Sequence, residues 1–445
     1  MCCRRSIAPM PSPMIPVIDY ADRADRLQAV LSRSASFSDE VDTAVRDILH
    51  AVRTEGDAAL HRFTEQFDGV ALEALQVPES ALHAALDEID DDLRRIMDEA
   101  AANIRRFHER QGPNSWFEDD GDGVMLGQRV QPLERVGLYV PGGTAAYPSS
   151  VLMNAISAQV AGVPHIAMVS PPQDDGLPHP HIMAAAALLG LDRVYALGGA
   201  QAVGALAFGT DTVQSVDKIV GPGNAYVAAA KKQVFGRVDI DSVAGPSEIG
   251  VLADDTADPA FVAADLLSQA EHDPRASALL VTPHRPLAEA VRDEIADRVP
   301  DLPRADIIEA SLRDYSACIV TDTMAQAVDM MNELAVEHLE IITDEPWTVC
   351  SDIKHAGAIF LGPYSSEPVG DYFAGPNHVL PTGGTARYAS ALRVSDFVRT
   401  QSIIQYSARR LAKTGPDIVQ FAEAESLQAH ADAIRERLKQ LNASA

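Results

Sequence analysis

The hydrophobic residues follow two different patterns, which meet near Arg135. Before Arg135, apolar residues recur at helical spacing within mostly polar segments, which is typical of amphipathic helices. After it, short continuous apolar runs end at Gly-rich turns and are followed by Ala-rich segments of helical character. Strands that are apolar throughout and alternate with helices are typical of a parallel sheet covered on both faces. The pattern predicts an α/β fold with a helix-rich N-terminal third.

The first third of the chain is predicted to form a supporting layer of helices. Their expected positions are residues 21–31, 38–54, 80–97 and, as a continuation of the last one, 98–107. No cluster of residues suited to catalysis occurs in this region.

The apolar runs after Arg135 fall into two sets. The first set predicts strands at residues 136–140, 165–169, 193–197 and 218–220, with Gly-rich turns at 141–143, 198–199 and 221–223. The second set predicts strands at residues 249–252, 278–281, 317–320, 340–342 and 358–361. We expect two Rossmann-like parallel-sheet domains, one inserted in the other, because the second sheet should close over the N-terminal helices.

These boundaries give four segments. A larger α/β domain takes residues 32–138 and 249–392, and the inserted domain takes residues 139–248. An N-terminal extension and helical arm covers residues 1–31, and a helical tail covers residues 393–445. The tail is too small to bury its own apolar stripe, so it should dock on another domain or on another subunit. The long Gly- and Pro-rich segment 362–392 is expected to be a functional loop.

The net charge and the cysteine content limit which partners and which cellular compartment suit this chain. With 36 basic and 64 acidic residues among 445, the net charge is −28, which disfavours nucleic acid and anionic membrane surfaces as partners. Four cysteines without a repeated spacing (Cys2, Cys3, Cys318 and Cys350) suit a reducing cytoplasm. Residues 1–14 are interpreted as a disordered extension, since a zinc knuckle would need further ligands nearby. The longest apolar run, residues 182–189, is shorter than the roughly 20 residues of a membrane span.

Residues 240–274 contain the first candidate metal ligands. Asp258 before Pro259 predicts a helix start, and Asp273 before Pro274 predicts its end. Gln269 and His272 then lie three apart on one helical face, close enough to bind one atom. Two polar residues at this spacing near a helix end are more commonly a solvated rim, and Gln is an uncommon metal ligand.

Three further groups are candidates for chemistry. Glu337-His338 follows a predicted helix and could supply two bases to one cavity. Asp371 and Asn377-His378 lie in the long loop, and Glu425 and His430 lie in the tail. A solvated turn or a packed histidine would explain each group taken singly. The Gly-rich turns suit anion binding at the carboxyl ends of strands, but none matches G-x-G-x-x-G with its acidic partner, so spacing alone names no cofactor.

In order along the chain, these motifs resemble the histidinol dehydrogenase family, from about Ile18 to the C-terminal helix. The matching runs are VGLYVPGGTAAYPSSVLMNAISAQVAGV, GGAQAVGALAFGT, DKIVGPGNAYV, AGPSEIGVLAD, DLLSQAEHDP, NELAVEHLE and GDYFAGPNHVLPT. The resemblance implies a cytoplasmic enzyme that oxidises L-histidinol through the aldehyde to L-histidine, with one Zn²⁺ per subunit and two molecules of NAD per substrate. It also implies a homodimer whose active site is shared between the subunits.

The resemblance assigns roles to individual residues. It implies that Glu337 and His338 are the acid-base pair, and that zinc holds the substrate's nitrogens while His338 moves the protons. The implied zinc ligands are Gln269, His272, Asp371 and His430, the last from the partner subunit. The implied substrate contacts are Ser247, Gln269, His272, His338, Asp371, His378, Glu425 and His430, and the implied NAD contacts, in the inserted domain, are Tyr139, Gln201 and Asn224. Glu340, just after the acid-base pair, is expected to be a variable polar position.

Three other functions remain open from the sequence. A related zinc and NAD enzyme could oxidise another small polar alcohol, such as a sulfopropanediol. A hydrolase could use Glu337 to activate water without a redox step, although Gly-rich turns on a parallel sheet favour a nucleotide. A noncatalytic binding protein would be expected to lack at least one ligand or base, whereas every residue of the implied set is present.

Overall fold

The structure is a computed structural model that describes residues 14–33, 38–142 and 146–443. Cys2, Cys3, most of the expected N-terminal extension and Gly143 of the first Gly-rich turn lie outside these residues. Within the described part of the chain, no helix is both long and apolar enough to cross a membrane.

Most strands after Arg135 lie within two residues of their predicted positions, and five further strands were not predicted (β1, β2, β3, β8 and β14 below). The strands are β1 (Val17–Asp19), β2 (Trp116–Asp119), β3 (Val124–Pro132), β4 (Arg135–Tyr139), β5 (His165–Ser170), β6 (Arg193–Ala196), β7 (Lys218–Val220), β8 (Asp239–Ile240), β9 (Glu248–Ala253), β10 (Ser277–Thr282), β11 (Ala317–Val320), β12 (His338–Ile342), β13 (Ala358–Leu361) and β14 (Val398–Tyr406).

Helices fill most of the intervals between the strands. They are α1 (Ala24–Ser32), α2 (Asp39–Glu55), α3 (Asp57–Asp68), α4 (Glu79–Glu88), α5 (Asp91–His108), α6 (Pro148–Ala161), α7 (Pro180–Leu188), α8 (Gly199–Phe208), α9 (Ala225–Val234), α10 (Pro259–Ala270), α11 (Arg285–Arg298), α12 (Ala305–Tyr315), α13 (Met324–Leu334), α14 (Pro346–Cys350), α15 (Glu367–Val369), α16 (Ala408–Ala424) and α17 (Gln428–Ala443). The predicted helix over residues 80–107 is broken at Asp90, whose side chain caps α5 by accepting from the backbone N–H groups of Asp92 and Leu93.

Two parallel sheets carry the α/β character that the sequence predicts. The six-stranded sheet has the order β1-β11-β10-β9-β12-β13, and the five-stranded sheet has the order β6-β5-β4-β7-β8. All neighbours in both sheets are parallel. Strands β9 and β10 are buried at every residue, as expected for a sheet covered on both faces.

A third sheet corrects the expectation that residues 393–445 are helical throughout. Strand β14 pairs antiparallel with β3 along its whole length, and β3 pairs with β2. No residue of β14 is buried within the chain, so its sequence lacks the apolar alternation that marks a half-buried strand. Its backbone partners lie in residues 124–132, far away in sequence, which is why local patterning could not find it.

The N-terminal helices also pack differently from the prediction. Helix α2 packs on α8 and α9, α4 on α7, and α5 on α6, so these helices cover the five-stranded sheet. Gly204 of α8 allows the close approach of α2, because a Cβ there would lie 3.1 Å from Leu49 Cδ2. Only β1 and α1 join the six-stranded sheet, through β11 and α12. Strand β4, which begins at Arg135, already belongs to the five-stranded sheet, four residues before the expected boundary.

Candidate active site

Helix α10 presents the first pair of candidate ligands. Asp258 caps the helix by accepting from the N–H of Ala260 at 2.8 Å, and Pro259 occupies the first turn, as predicted. At the other end Gln269 is fully buried, and both its amide atoms lack a hydrogen-bond partner among the described residues. His272 follows just after the helix and is partly exposed. Both side chains line one cavity of about 410 Å³.

The Glu337-His338 pair lies where β12 begins. Both side chains contact the backbone of Glu248 on the neighbouring strand β9. The N–H of Glu248 donates to Glu337 Oε2 at 3.0 Å, and His338 Nδ1 lies 3.1 Å from the carbonyl oxygen of Glu248. Because a carbonyl only accepts, Nδ1 carries the proton. The other ring nitrogen, Nε2, is therefore unprotonated and buried, without a hydrogen-bond partner among the described residues, and His338 lines the same cavity.

The loop predicted to be functional brings two more of the expected residues to the cavity. Asp371 lies in a π-helical turn (Gly370–Ala374), with Oδ1 3.8 Å from His338 Nε2. His378 donates from Nδ1 to the carbonyl of Asp371 at 3.2 Å, and its Nε2 lies 3.3 Å from Ser150 Oγ. Ser247, the residue before β9, lines the same cavity.

The sequence reasoning missed Glu367, at the start of α15. Its side chain is buried, with Oε1 4.0 Å from His272 Nε2 and Oε2 accepting from Ser268 Oγ at 3.1 Å. Glu340, expected to be a variable polar position, is instead buried and accepts from the N–H of Glu367 at 2.7 Å. The acidic residue inside the apolar run of β12 was the available sequence signal, since carboxylates are rarely buried without a partner.

Burial changes the protonation of these groups. It raises the pKa of Asp371 to about 8, an effect to which the nearby Glu367 carboxyl adds, and it raises the pKa of Glu337 well above its usual range. It lowers the pKa of His338 to about 3 and that of His378 to about 4, so both rings are neutral at neutral pH. Burial beside Asp265 raises the pKa of Glu340 to about 9.

The donor set suits a divalent cation. His338, Glu367 and Asp371 each offer one ligand atom, and these atoms all lie within 4.8 Å of one another. Gln269 adds a buried amide oxygen without a partner, and His272 adds an imidazole in the same cavity. Neutral imidazole and oxygen donors of this kind bind Zn²⁺ and similar ions. A cation would also offset the cost of burying the carboxyl groups together.

Parallel sheets usually bind ligands at the carboxyl ends of their strands, but this cavity lies elsewhere. Ser247 and Glu337 precede β9 and β12, so the cavity lies at the amino ends of these strands. Gln269 lies in the last turn of α10, where a helix carries partial negative charge, which favours a cation over an anion.

A second, larger cavity of about 1000 Å³ lies at the carboxyl ends of strands in the five-stranded sheet. Tyr139, Gln201 and Asn224 all line it, beside the turns that follow β4, β6 and β7. Tyr139 Oη accepts from the N–H of Gly199 at 3.0 Å, and Asn224 caps α9. Gln201 Oε1 and Asp68 Oδ2 are buried without partners among the described residues.

These two cavities have Pro141 and Asn224 in common among their lining residues. A ligand in the larger cavity can therefore reach toward the bases of the smaller one. A dinucleotide fits the larger cavity in size and in its unpartnered polar atoms.

The structure does not bring Glu425 and His430 to the other site residues. Both are exposed on the helical hairpin of α16 and α17, where they line a separate groove with Phe421 and Leu427. Phe421 is 71% exposed within the single chain, and Leu427 and Ile418 are also exposed. The cavity of about 410 Å³, called the substrate cavity below, thus contains the expected metal and substrate residues except these two.

The site can carry out acid-base chemistry beside a cation and next to a nucleotide-sized cavity. A family model described as histidinol dehydrogenase matches residues 31–438. The histidinol dehydrogenase of Halalkalibacterium halodurans is 55% identical over 416 residues, which cover 92% of this chain and 98% of that protein. That of Bacillus subtilis is 52% identical over 419 residues, which cover 94% and 98%. The crystal structure of histidinol dehydrogenase from Elizabethkingia anophelis has a TM-score of 0.91 at 36% identity, and the match covers 97% of this chain and 100% of that one.

Proposed function

Since the chain belongs to the histidinol dehydrogenase family, we propose that it oxidises L-histidinol through L-histidinal to L-histidine, reducing two molecules of NAD⁺. The observation that carries the proposal is the free Nε2 of His338 at the cavity that also contains Glu337, Gln269, His272 and Asp371. The general base and the polar groups that would orient a substrate are then within one small volume.

We assign the proton transfers to the Glu337-His338 pair. In the first oxidation, neutral His338 Nε2 accepts the hydroxyl proton while the C–H hydrogen leaves as hydride to NAD⁺, giving the aldehyde and NADH. Glu337 then takes a proton from the water that adds to the aldehyde, and protonated His338 gives its proton to the aldehyde oxygen, which forms the neutral hydrate and makes His338 a free base again. In the second oxidation, His338 accepts a proton from the hydrate as hydride leaves to a second NAD⁺, giving the carboxylic acid. The neutral imidazole of His338 can accept a proton directly. Glu337 accepts one in its ionised form, which the positive charge of a cation in the same cavity would favour over the buried neutral form.

We propose that Gln269, His272 and Asp371 hold one Zn²⁺ ion, together with His430 of the partner subunit. When bound, the ion supplies positive charge that fixes the substrate's imidazole and amine nitrogens. Ser247 and His378 line the same cavity and would orient the polar end of the substrate. Glu367 is a further carboxyl beside His272 and Asp371.

We place NAD in the larger cavity, against Tyr139, Gln201 and Asn224. The unpartnered Gln201 Oε1 supports this, because a buried acceptor without a partner costs roughly 1–3 kcal/mol. Asn224, which lines both cavities, would lie near the nicotinamide end.

We propose a homodimer in which Glu425 and His430 complete the partner's active site. Two observations support this arrangement: the substrate cavity lacks these residues within one chain, and the hairpin that carries them exposes Phe421 and Leu427. A large exposed apolar patch is typical of an interaction site. We further propose that the enzyme works in the cytoplasm, where Cys318 and Cys350 remain free thiols.

The test is NADH formation by the zinc-loaded enzyme with L-histidinol or with dihydroxypropanesulfonate. We expect turnover of histidinol and none of the sulfonate, the alternative substrate, for which the relatives give no support. Turnover of the sulfonate alone would overturn the proposal. A protein that hydrolyses a substrate and binds no NAD would instead support the hydrolase alternative.

A further inference from the structure

The backbone of one residue, Glu248, contacts both members of the acid-base pair through its two flanking peptide groups. The N–H of Glu248 donates to Glu337 Oε2, and its carbonyl oxygen accepts from His338 Nδ1. Pairing of β9 with β12 fixes the backbone of His338 opposite Ile249, but it does not fix the ring or the Glu337 carboxyl. These two side-chain contacts therefore depend on the position of the Glu248 backbone.

The side chain of Glu248 is held by groups from two other parts of the chain. Arg33 Nη2 donates to Glu248 Oε1 at 2.8 Å, and the N–H of Gly383 donates to the same oxygen at 3.2 Å. The Arg33 side chain is fully buried. It also donates to the carbonyl oxygens of Val30 and Arg275. Arg33, the residue just after α1, thus holds the side chain of Glu248, whose backbone contacts both members of the acid-base pair.

We propose that Arg33 and Glu248 are a positioning pair, which holds the backbone of Glu248 so that the His338 ring and the Glu337 carboxyl keep the orientations needed for proton transfer at the cavity that both residues line. Neither Arg33 nor Glu248 is assigned contact with the substrate, so both act through Glu337 and His338. This inference rests on the roles proposed above for Glu337 and His338.

The alternative is that the Arg33-Glu248 ion pair only stabilises the fold. The energetics of buried ion pairs distinguish this structural role from the positioning role. Removing one partner of a buried ion pair leaves an unpaired charge and is strongly destabilising. Replacing both partners by apolar residues of similar volume is often neutral or stabilising. The double variant Arg33→Met/Glu248→Met should therefore fold. It loses the hydrogen bonds from Arg33 and from the N–H of Gly383 that hold residue 248 in place.

We expect the double variant to keep the thermal unfolding midpoint, the zinc content and the KM for NAD⁺ of the wild type. Its kcat for histidinol should fall by about 100-fold, since small misplacements of catalytic groups cost rates of that order. The ¹⁵N chemical shifts of the His338 ring should lose the signature of a single Nδ1–H tautomer. The conservative variant Arg33→Lys should recover part of the lost kcat.

Arg26→Gln is the matched control, because Arg26 also anchors α1, by donating to the carbonyl oxygen of Arg313 at 2.9 Å, far from the acid-base pair. We expect its kcat to be that of the wild type. A folded double variant with kcat within twofold of the wild type, and an unchanged His338 tautomer, would overturn the positioning role. Failure of the proposed function is distinguishable, since the wild-type enzyme itself would then not turn over histidinol.

Discussion

Gln269 shows at the scale of one residue how burial supports a proposed metal ligand that the sequence leaves ambiguous. Its spacing from His272 is more typical of a solvated helix end, yet the side chain is fully buried with both amide atoms unpartnered among the described residues. Each such atom costs roughly 1–3 kcal/mol unless a ligand satisfies it. The carboxyl group of Asp371 has a raised pKa for a related reason, burial near Glu367. Under the proposed zinc site, one cation relieves both costs.

His338 and His272 are predicted to have separable roles. His338→Asn should keep its zinc and its fold and lose turnover by about 10²- to 10⁴-fold, the usual contribution of a general base. His272→Asn should lose zinc. Metal analysis of the two purified variants, beside the steady-state rates, checks this, and equal zinc loss in both would show that His338 is itself a ligand.

Glu367 is predicted to support metal binding. Glu367→Gln keeps the shape of the side chain but removes a negative charge beside His272 and Asp371, and groups that support ligands typically contribute 10- to 100-fold in metal affinity. We expect a loss of about that size in competition with a chromophoric chelator. Ser268→Ala, which removes only the hydroxyl that donates to Glu367, serves as the control and should lose less.

At the scale of secondary-structure elements, the amino ends of β9 and β12 and the end of α10 form the substrate cavity. The αL backbone of Ala335 ends α13 and turns the chain into Glu337-His338. The loop after β13 contributes Glu367, Asp371 and His378 to the cavity. Strands β9 and β12, helix α10 and the loop after β13 thus each contribute a part of the site.

The contact between α5 and α6 is predicted to be sensitive to pH. His108 is buried, with Nδ1 2.8 Å from Gln111 Oε1 and Nε2 3.3 Å from Ser157 Oγ, and burial lowers its pKa below 6.5. Below about pH 6.5 the unfolded chain binds a proton that the folded chain does not, so this group reduces stability as the pH falls. In urea unfolding at about pH 7 and about pH 5.5, His108→Gln should lose less stability than the wild type. An equal loss in both proteins would contradict this assignment.

The elements were predictable from the sequence where the signal is local. Continuous apolar runs located the strands of both sheets after Arg135 apart from the two-residue β8, and Asp258-Pro259 located the start of α10. Strand β14 was missed because its partner β3 is remote in sequence and its side chains are solvent-exposed in the single chain. Glu367 and Glu248 were missed because their roles depend on contacts with α10 and Arg33, which no spacing encodes.

At the scale of the whole molecule, the two parallel sheets place a large cavity against a small one, with Asn224 lining both. The exposed hairpin of α16 and α17 carries the two expected residues that the substrate cavity lacks. Under the proposed dimer, neither subunit has a complete site alone, and catalysis depends on association.

Complementation tests the shared site. His338→Asn and His430→Asn dimers should each be nearly inactive, but mixed dimers have one site with both residues intact. Random reassociation of equal amounts should restore about a quarter of wild-type activity, since half of the dimers are mixed and each has one good site. Two His338→Asn preparations, mixed in the same way, are the control. Absence of recovery, with exchange of subunits verified by mass, would contradict the shared site.

The stoichiometry of NADH formation is the decisive test of the proposed four-electron oxidation by the Glu337-His338 pair. Limiting L-histidinol should be consumed with the formation of two NADH per molecule and of L-histidine as the product, identified by mass spectrometry. One NADH per molecule with accumulation of the aldehyde, or no NADH at all, would contradict the account.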